Sequence, residues 1–202
     1  MAGNLKPYDT GDRVEAGCDE AGRGCLAGPV FAAAVILPKD FYHPLLDDSK
    51  KLKEKVRLEL REYIIRNAEC YAVSSVSPQV IDEINILWAS VLAMHQALEK
   101  LPRQPQLILV DGNRFKPYGS VPYRCYIRGD SRFASIAAAS ILAKTSRDEY
   151  MKSIHSEYPA YGWSQNKGYP SRFHRMAVLE HGLSPHHRKS FHVHEQLALP
   201  FG

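Results

Sequence analysis

The sequence is poor in several features that would each indicate a particular class of protein. Its 202 residues include four cysteines and no C-x-x-C pair, which argues against a zinc ribbon and against a disulfide framework. No apolar run reaches the length of a membrane span, and the first ten residues contain no apolar core of the signal-peptide type. We therefore expect a protein of the reducing cytoplasm that does not enter a membrane.

The composition is that of an ordinary globular protein. Hydrophobic residues make up 45% of the chain and charged residues 24%, and neither an internal repeat nor a low-complexity linker is present. We expect one continuous domain over residues 1–202, in which residues 170–202 form a helical, basic appendage and tail. No feature of the sequence requires a partner subunit, so a monomer is expected.

The net charge of +4 is small, but its distribution is uneven. Seven of the nine histidines lie from His155 onward, and they are mixed with basic residues: Arg172, Arg175, Arg188 and Lys189. An acidic N-terminal site and a basic C-terminal third suit an enzyme that binds a polyanion, although an ordinary solvated basic face is the alternative. The histidines near the end are predicted to be polar surface residues or phosphate neighbours: His186, His187, His192 and His194.

The stretch C-D-E-A-G-R-G, residues 18–24, has the most unusual chemistry in the chain. Asp19 and Glu20 are adjacent carboxylates, whose mutual repulsion a bound divalent cation would relieve. Glycines allow backbone N–H groups to approach a ligand closely, and Arg23 offers a forked donor for phosphate or sugar oxygens. The alternative for this stretch alone is an acidic turn after a strand.

The hydrophobic pattern predicts strand, strand, helix, strand, helix, strand, strand and helix, in that order. This order indicates an α/β protein with a mixed sheet and helices on its faces. The second strand is continuously apolar, which is typical of a strand covered on both sides. Strands are predicted over 14–18, 29–37, 70–76, 107–110 and 123–128. Helices are predicted over 49–65 (with Ser49 as N-cap), 78–101 (with Ser77 as N-cap), 135–158 and 171–181 (ended by Gly182).

Two further carboxylates are candidates for the same site. Asp111 ends the apolar strand L-I-L-V, a common place for a ligand in α/β proteins, although Asp-Gly is also an ordinary turn dipeptide. Asp148 lies on one helical face with Ser140 and Lys144. It could pair with Lys144 or join the acidic site, and spacing alone favours the ion pair.

Lysines and aromatic residues provide candidate contacts to a nucleic acid. Lys50 and Lys51 lie near the start of the first predicted helix and could reach a phosphate, whereas most lysines of that helix are expected to be solvated. Residues 161–170 form a predicted aromatic loop that contains Lys167. Aromatic faces beside basic residues suit stacking on bases or sugars.

Taken in order, these motifs resemble those of bacterial type 2 ribonuclease H, ribonuclease HII. They are C-D-E-A-G-R-G with L-A-G-P-V, D-D-S-K-K-L, L-I-L-V-D-G-N, G-D-S-x-x-x-S-I-A-A-A-S-I-L-A-K-x-x-R-D, N-K-G-Y-P with H-R, and H-H-R-K-S-F. The resemblance extends over most of the chain. One departure is Cys25, where many relatives carry proline.

The resemblance implies a ribonuclease H-like fold with a five-stranded mixed sheet. It also implies an endonuclease that cuts RNA in RNA–DNA hybrids and cuts 5′ to ribonucleotides embedded in duplex DNA, leaving 5′-phosphate and 3′-hydroxyl ends. The acidic positions of the family, which would hold two Mg2+ or Mn2+ ions, fall on Asp19, Glu20, Asp111 and Asp148. The family's ribose-sensing G-R-G falls on Gly22, Arg23 and Gly24, and its junction-sensing tyrosine falls on Tyr169.

Other hypotheses remain at this point. Another two-metal nuclease or strand transferase of the same fold would cut DNA that contains no ribonucleotide. A catalytically silent nucleic-acid-binding module would be expected to lack an acidic position, and a histidine-based metal site would lack cysteine partners. The segment Q-L-A-L-P-F, Gln196 to Phe201, resembles peptides that bind the bacterial sliding clamp, although so short a match arises easily by chance.

Overall fold

A computed structural model describes residues 5–47, 49 and 52–192 of the chain, and its centre is a five-stranded sheet. The strands are β1 (Glu15–Ala21), β2 (Val30–Ile36), β3 (Cys70–Val76), β4 (Leu107–Asp111) and β5 (Tyr123–Tyr126). They lie in the order β3-β2-β1-β4-β5. Because β1 pairs antiparallel with β2 and parallel with β4, the predicted mixed sheet is confirmed.

Five α-helices accompany the sheet in the described part of the chain. They are α1 (Glu54–Asn67), α2 (Pro78–Glu99), α3 (Ala134–Ser153), α4 (Trp163–Asn166) and α5 (Arg172–His181). Short 3-10 turns occur at Gly129–Ser131, Ile154–Ser156 and Pro159–Tyr161. No helix among the residues described is long and apolar enough to cross a membrane.

The two faces of the sheet are covered by different helices, as the apolar second strand predicted. Val30, Ala32 and Ala34 of β2 pack in one apolar cluster with residues of α2. The alternate residues Ala33 and Val35 pack with α1 and α3 on the opposite face. The sheet is therefore the middle layer of three.

Helix α3 crosses β1 at very short range. A Cβ atom placed on Gly17 would lie 2.2 Å from the carbonyl carbon of Ser135, so only glycine fits at this crossing. The alanines Ala137, Ala138 and Ala139 continue the close contact along the helix, and all three are buried. Small residues at these positions bring the later turns of α3 against the carboxyl end of β1.

Several predicted helix boundaries are confirmed by their caps. The side chain of Ser77 accepts a hydrogen bond from Val80 N, and Pro78 is the first residue of α2. Ser171 caps α5 in the same way, and Gly182 ends that helix with a positive φ of 76°.

Other boundaries were predicted wrongly. Helix α1 begins at Glu54 after Lys53, and Ser49 instead forms a hydrogen bond between its Oγ and that of Ser140, 2.8 Å away. The fifth strand ends at Tyr126, because Arg128 adopts a left-handed conformation. Residues 161–170, predicted as a loop, contain the short helix α4.

Helix α2 contains a break that the sequence pattern did not predict. Asn85 has a φ of 64° within an otherwise helical segment. Its side-chain oxygen accepts hydrogen bonds from the backbone nitrogens of Leu87 and Trp88, at 3.0 and 3.3 Å. Asn85 thus caps the second part of α2, since asparagine tolerates the left-handed region and is a good N-cap.

Candidate active site

The carboxylates Asp19 and Asp111 meet at one edge of the sheet. Strands β1 and β4 are adjacent and parallel, with Cys18 opposite Val110 in the register, so both carboxylates come one residue beyond this pair. Successive side chains of a strand point to opposite faces of the sheet. Because Cys18 and Val110 pack toward α2, Asp19 and Asp111 point to the opposite face, which α3 covers. The parallel pairing therefore brings together two acids that are 92 residues apart.

A cleft of about 280 Å3 opens at this edge, and most of the predicted site residues line it. Its lining includes three of the acids, the G-R-G segment, Ser49, Ser140, Lys144 and Tyr169. Asp148 lies on α3 one turn beyond Lys144 and is almost fully buried. Among the predicted contacts, Lys167 is not part of this lining, and Lys50 lies outside the described residues.

Asp19 is in a strongly perturbing electrostatic environment. Only 3% of the residue is exposed, and this burial is the main reason why the pKa of its carboxyl lies well above the usual value. The negative charges of Glu20 and Asp111 raise that pKa further, whereas hydrogen bonds from Ser140 and from the Glu20 backbone nitrogen oppose the shift. A proton or a cation is needed to relieve this repulsion.

Asp111 is held by the turn that follows β5. The backbone N–H of Gly129 donates to Asp111 Oδ1 at 2.7 Å. Gly112, directly after Asp111, has a φ of 104°, so the Asp-Gly turn of the alternative hypothesis is also present. One oxygen of Asp111 is thus oriented by the backbone while the residue remains only partly buried.

The ion pair predicted from helical spacing is present in α3. Lys144 Nζ lies 2.5 Å from Asp148 Oδ1, and Arg57 Nη2 lies 3.8 Å from Asp148 Oδ2. The charge of Asp148 is therefore compensated by two cations from two helices. Asp148 lies next to the cleft, because Lys144, which lines the cleft, contacts its carboxylate.

The donor set of the cleft suits hard divalent cations, because carboxylate and hydroxyl oxygens are the ligands that Mg2+ and Mn2+ prefer. In the described part of the chain, no three His, Cys, Asp or Glu side chains already converge on a single ion position. Part of the reason is that Asp19 and Glu20 are successive residues of β1, so their side chains point to opposite faces of the strand and do not converge. The residues fit divalent ions by chemistry, with side-chain adjustment on binding.

The glycine loop, residues 22–29, approaches a buried arginine too closely for other residues. Gly22 has a φ of 98°, and a Cβ atom there would lie 2.0 Å from Arg147 Nε. Gly24, by contrast, has open space where a side chain would be. Arg23 Nη1 lies 3.2 Å from Glu20 Oε1, and about half of the Arg23 side chain remains exposed beside the cleft.

Two buried arginines hold this loop, and the motif comparison did not identify them as site residues. Arg147, fully buried, donates to the carbonyls of Ala27 and Pro29. Arg188, 1% exposed, donates to the carbonyls of Gly28 and Arg23. The expectation that Arg188 belongs to a polyanion-binding surface is wrong, because this guanidinium is enclosed by backbone. Both arginines lie inside the motifs quoted above, and this position was the feature of the sequence that could have identified them as site residues.

Tyr169 borders the cleft with a partly exposed ring. Its ring centre lies 5.5 Å from Lys144 Nζ and 5.9 Å from Arg147 Cζ. Burial raises the pKa of the Tyr169 hydroxyl, and a side-chain hydrogen bond joins that hydroxyl to Cys25. Lys167 instead directs its ammonium to the carbonyl of Ser164, and burial lowers its pKa.

Of the C-terminal histidines predicted as polar surface residues, His192 is exposed as expected, but His187 is not. His187 is only 2% exposed, and His174 is fully buried. His186 is partly buried and packs edge-on against Trp163. Within residues 5–47, 49 and 52–192 no histidine cluster could hold a metal ion, and His194 lies outside them. The histidine-based metal hypothesis therefore has no support in this part of the chain.

The sheet order and the acidic edge shared by β1 and β4 are those of a hydrolase with the ribonuclease H-like fold. Ribonuclease H2 from Pyrococcus horikoshii superposes with a TM-score of 0.72 at 27% identity, over 89% of this chain and 94% of that one. Within this class, the chain belongs to the ribonuclease HII family, whose model matches residues 16–194. It is thus a ribonuclease H-type hydrolase.

Two further comparisons agree with this assignment. Ribonuclease HII from Bacteroides thetaiotaomicron is 59% identical over 189 residues, which cover 94% of each chain. The structure of a PCNA:RNase HII complex from Archaeoglobus fulgidus matches with a TM-score of 0.71 at 25% identity, over 91% of this chain and 97% of that chain.

Proposed function

We propose that this protein hydrolyses the RNA strand of RNA–DNA hybrids and cuts 5′ to ribonucleotides embedded in duplex DNA. The observation that carries the proposal is the meeting of Asp19, Asp111, the glycine loop and Tyr169 around one cleft. Carboxylates that would cut a phosphodiester thus lie beside residues that would recognise a ribose. The products would be a 3′-hydroxyl and a 5′-phosphate on the ribonucleotide.

The four acids have distinct parts in this proposal. Asp19, Glu20, Asp111 and Asp148 would hold two Mg2+ or Mn2+ ions, which when bound supply water activation and stabilisation of the leaving 3′-oxygen. Asp19 and Asp111 are placed to act together, because they lie on the same face of adjacent strands. The raised pKa of Asp19 indicates that a positive charge beside it is electrostatically favourable.

Recognition of the ribose is assigned to the backbone of the glycine loop. A 2′-hydroxyl both donates and accepts hydrogen bonds, so backbone N–H and C=O groups can distinguish it from the hydrogen of deoxyribose. Gly24 has no neighbour where a side chain would lie, which leaves room for a sugar to approach. Arg23, exposed at the rim, is positioned to bind the adjacent phosphate.

Tyr169 is proposed to sense the nucleotide after the ribonucleotide. Its ring would pack on that sugar, where a second 2′-hydroxyl would crowd it. The partly exposed ring lines the cleft together with Gly22 and Gly24. In this proposal the enzyme prefers an RNA-to-DNA step over continuous RNA at that position. Lys50, from its place near the predicted helix start, and Lys167, from the aromatic loop, remain candidate phosphate contacts, although Lys167 would have to leave Ser164 to act so.

The test is a panel of labelled duplexes that differ only in sugar chemistry. One contains a single ribonucleotide in DNA, one is a continuous RNA–DNA hybrid, and one is all DNA. Each is incubated with Mg2+ or Mn2+, and the cut positions and end groups are mapped. Cleavage on the 5′ side of the single ribonucleotide supports the proposal. Cleavage of the all-DNA duplex would instead favour a general two-metal nuclease or strand transferase of this fold.

A protein partner is proposed for the segment from Gln196 to Phe201, which lies outside the described residues. Its spaced leucines and terminal phenylalanine suit the apolar pocket of a sliding clamp. The Archaeoglobus relative, whose structure is of a complex with PCNA, supports a partner of this kind. Removal of residues 196–202 should weaken binding to the cognate clamp and leave hybrid cleavage intact. Unchanged clamp affinity after this truncation would contradict the proposed interaction.

We further propose that the protein acts as a monomer in the cytoplasm.

A further inference from the structure

The backbone of the tyrosine loop, residues 167–169, is held at three successive carbonyls by Arg147, Leu26 and His174, and the third carbonyl also accepts from the backbone nitrogen of Ser171 at 2.8 Å. Arg147 donates to the carbonyl of Lys167 at 2.7 Å. The backbone nitrogen of Leu26 donates to the carbonyl of Gly168 at 2.8 Å. The ring of His174 contacts the carbonyl of Tyr169, with Nδ1 2.9 Å from the oxygen. The last bond directly precedes the side chain that is proposed to sense the sugar.

The partners of His174 determine which of its nitrogens carries the proton. A carbonyl oxygen can only accept, so Nδ1 must donate to Tyr169. The indole nitrogen of Trp163 can only donate, and it lies 3.1 Å from His174 Nε2. The neutral ring with its proton on Nδ1 therefore satisfies both contacts. A protonated Nε2 would face the indole hydrogen.

His187 fixes this arrangement from the other side. The backbone nitrogen of Ser184 donates to His187 Nδ1 at 2.9 Å, so this nitrogen is an acceptor and the proton lies on Nε2. That Nε2 is 3.1 Å from His174 Nε2, toward which it donates, so the single lone pair of His174 Nε2 is shared between His187 and Trp163. Each ring thus has one tautomer that agrees with all its neighbours, and the two tautomers are opposite.

Buried, closely packed surroundings restrict the positions of the rings in this hydrogen-bond chain. Trp163 and His174 are both fully buried, and His187 is almost so. Tyr161 stacks on Trp163 with ring centres 5.1 Å apart. The segment that carries His187 is itself fixed to the glycine loop, since Gly28 N donates to the carbonyl of His186 at 2.8 Å. The histidine pair therefore connects the two loops that border the cleft.

We propose that His174, kept in its Nδ1-protonated form by His187 and Trp163, is a positioning residue that sets the orientation of Tyr169. It acts on specificity through the Tyr169 backbone, while Lys144 and Arg147 constrain the ring. This inference rests on the proposed role of Tyr169 in sensing the sugar. It assigns His174 and His187 to substrate discrimination and not to phosphate or metal binding.

The test compares two amide substitutions at His174 that each keep one of its hydrogen bonds. His174→Asn places an amide donor near the Nδ1 position, whereas His174→Gln extends its amide toward the Nε2 position and loses the bond to Tyr169. For each variant, kcat and KM are measured on a duplex with one ribonucleotide and on a continuous hybrid. His174→Gln should lower the ratio of kcat/KM between these substrates about tenfold, the usual effect of one lost hydrogen bond. His174→Asn should retain most of that ratio.

A double-mutant cycle with Tyr169→Ala distinguishes the possible failures. Tyr169→Ala should lower the same ratio, and His174→Gln should cause no further decrease in that background. If Tyr169→Ala leaves the ratio unchanged, the proposed role of Tyr169 has failed and the inference fails with it. If Tyr169→Ala behaves as expected but His174→Gln slows both substrates equally, the inference alone is overturned.

A measurement on the unaltered full chain covers the case in which the variants do not fold. Histidine 15N chemical shifts separate protonated from unprotonated ring nitrogens. They should show a protonated Nδ1 in His174 and a protonated Nε2 in His187 at neutral pH. The reverse tautomer in either ring, or a charged ring, would contradict the arrangement on which the inference depends.

Discussion

Lys144 Nζ lies 2.5 Å from Oδ1 of Asp148, one turn later in the same helix. Arg57 approaches the other carboxylate oxygen, so two protein cations compensate a residue that the family motif assigns to metal binding. An ion bound by Asp148 would have to share this carboxylate with Lys144. The pair therefore limits how tightly the acidic cleft can bind a divalent cation in the absence of nucleic acid.

Removal of the competing cation should strengthen metal binding. We expect Lys144→Gln to tighten Mn2+ binding about threefold to tenfold and Asp148→Asn to weaken it, because a nearby positive charge repels the ion and a carboxylate attracts it. Calorimetric titration of the protein without nucleic acid measures both effects. Lys55→Gln, at an almost fully exposed helix position, is the matched control and should change nothing. Weaker binding by Lys144→Gln would show that Lys144 does not compete.

Asp111→Asn should separate substrate binding from cleavage. The amide keeps the size of the side chain and can still accept the hydrogen bond from Gly129, but it loses the negative charge. We expect hybrid binding within about threefold of the unaltered protein and a loss of cleavage of at least about a hundredfold. Fluorescence anisotropy and gel-based cleavage assays measure the two quantities. Asp40→Asn, at an exposed loop residue, should cleave normally. Full cleavage by Asp111→Asn with Mg2+ would remove Asp111 from the proposed site.

The two glycines of G-R-G should respond differently to alanine. Gly22→Ala places a methyl group against buried Arg147 at a positive φ, and we expect it to reduce the free energy of unfolding by about 2 kcal/mol or more. Gly24→Ala meets no neighbouring atom and should change that free energy by less than about 0.5 kcal/mol. Any loss of cleavage by Gly24→Ala would then reflect the substrate. Equal destabilisation by both substitutions would contradict the close approach of Arg147 to Gly22.

Acid should destabilise the fold through His187. Burial lowers the pKa of this ring to about 4, from a usual value near 6.5, so the unfolded chain takes up the proton first as the pH falls. The contribution of His187 is complete above about pH 6.5 and decreases by roughly 1.4 kcal/mol per pH unit toward pH 4. Urea unfolding gives the free energy of unfolding of the unaltered protein and of His187→Gln at pH 7.5, 6.0 and 5.0. The difference between the two free energies should become smaller as the pH falls. Parallel stability profiles would show that His187 does not titrate in this way.

The comparison with known motifs and the hydrophobic pattern together predicted much of the fold. The strand 70–76 was placed correctly to the residue, and Ser77, Ser171 and Gly182 marked helix ends as predicted. These features depend on neighbours within a few residues, so local chemistry determines them. The start of α1 was misplaced for a tertiary reason, because Ser49 bonds to Ser140 of α3 and not to its own helix.

The sequence by itself determined the chemistry available to the site: adjacent carboxylates in β1, an acid at the end of β4, and glycines where the backbone must be accessible. Only the tertiary structure decided which of these groups face one another and which polar residues are enclosed. Arg188 and His187 look like surface residues in the sequence, but both are buried: Arg188 donates to the backbone of the glycine loop, and His187 contacts the ring of His174. Burial depends on segments about 160 residues apart along the chain, as in the bond from Arg188 to Gly28, and no local pattern records such a pairing.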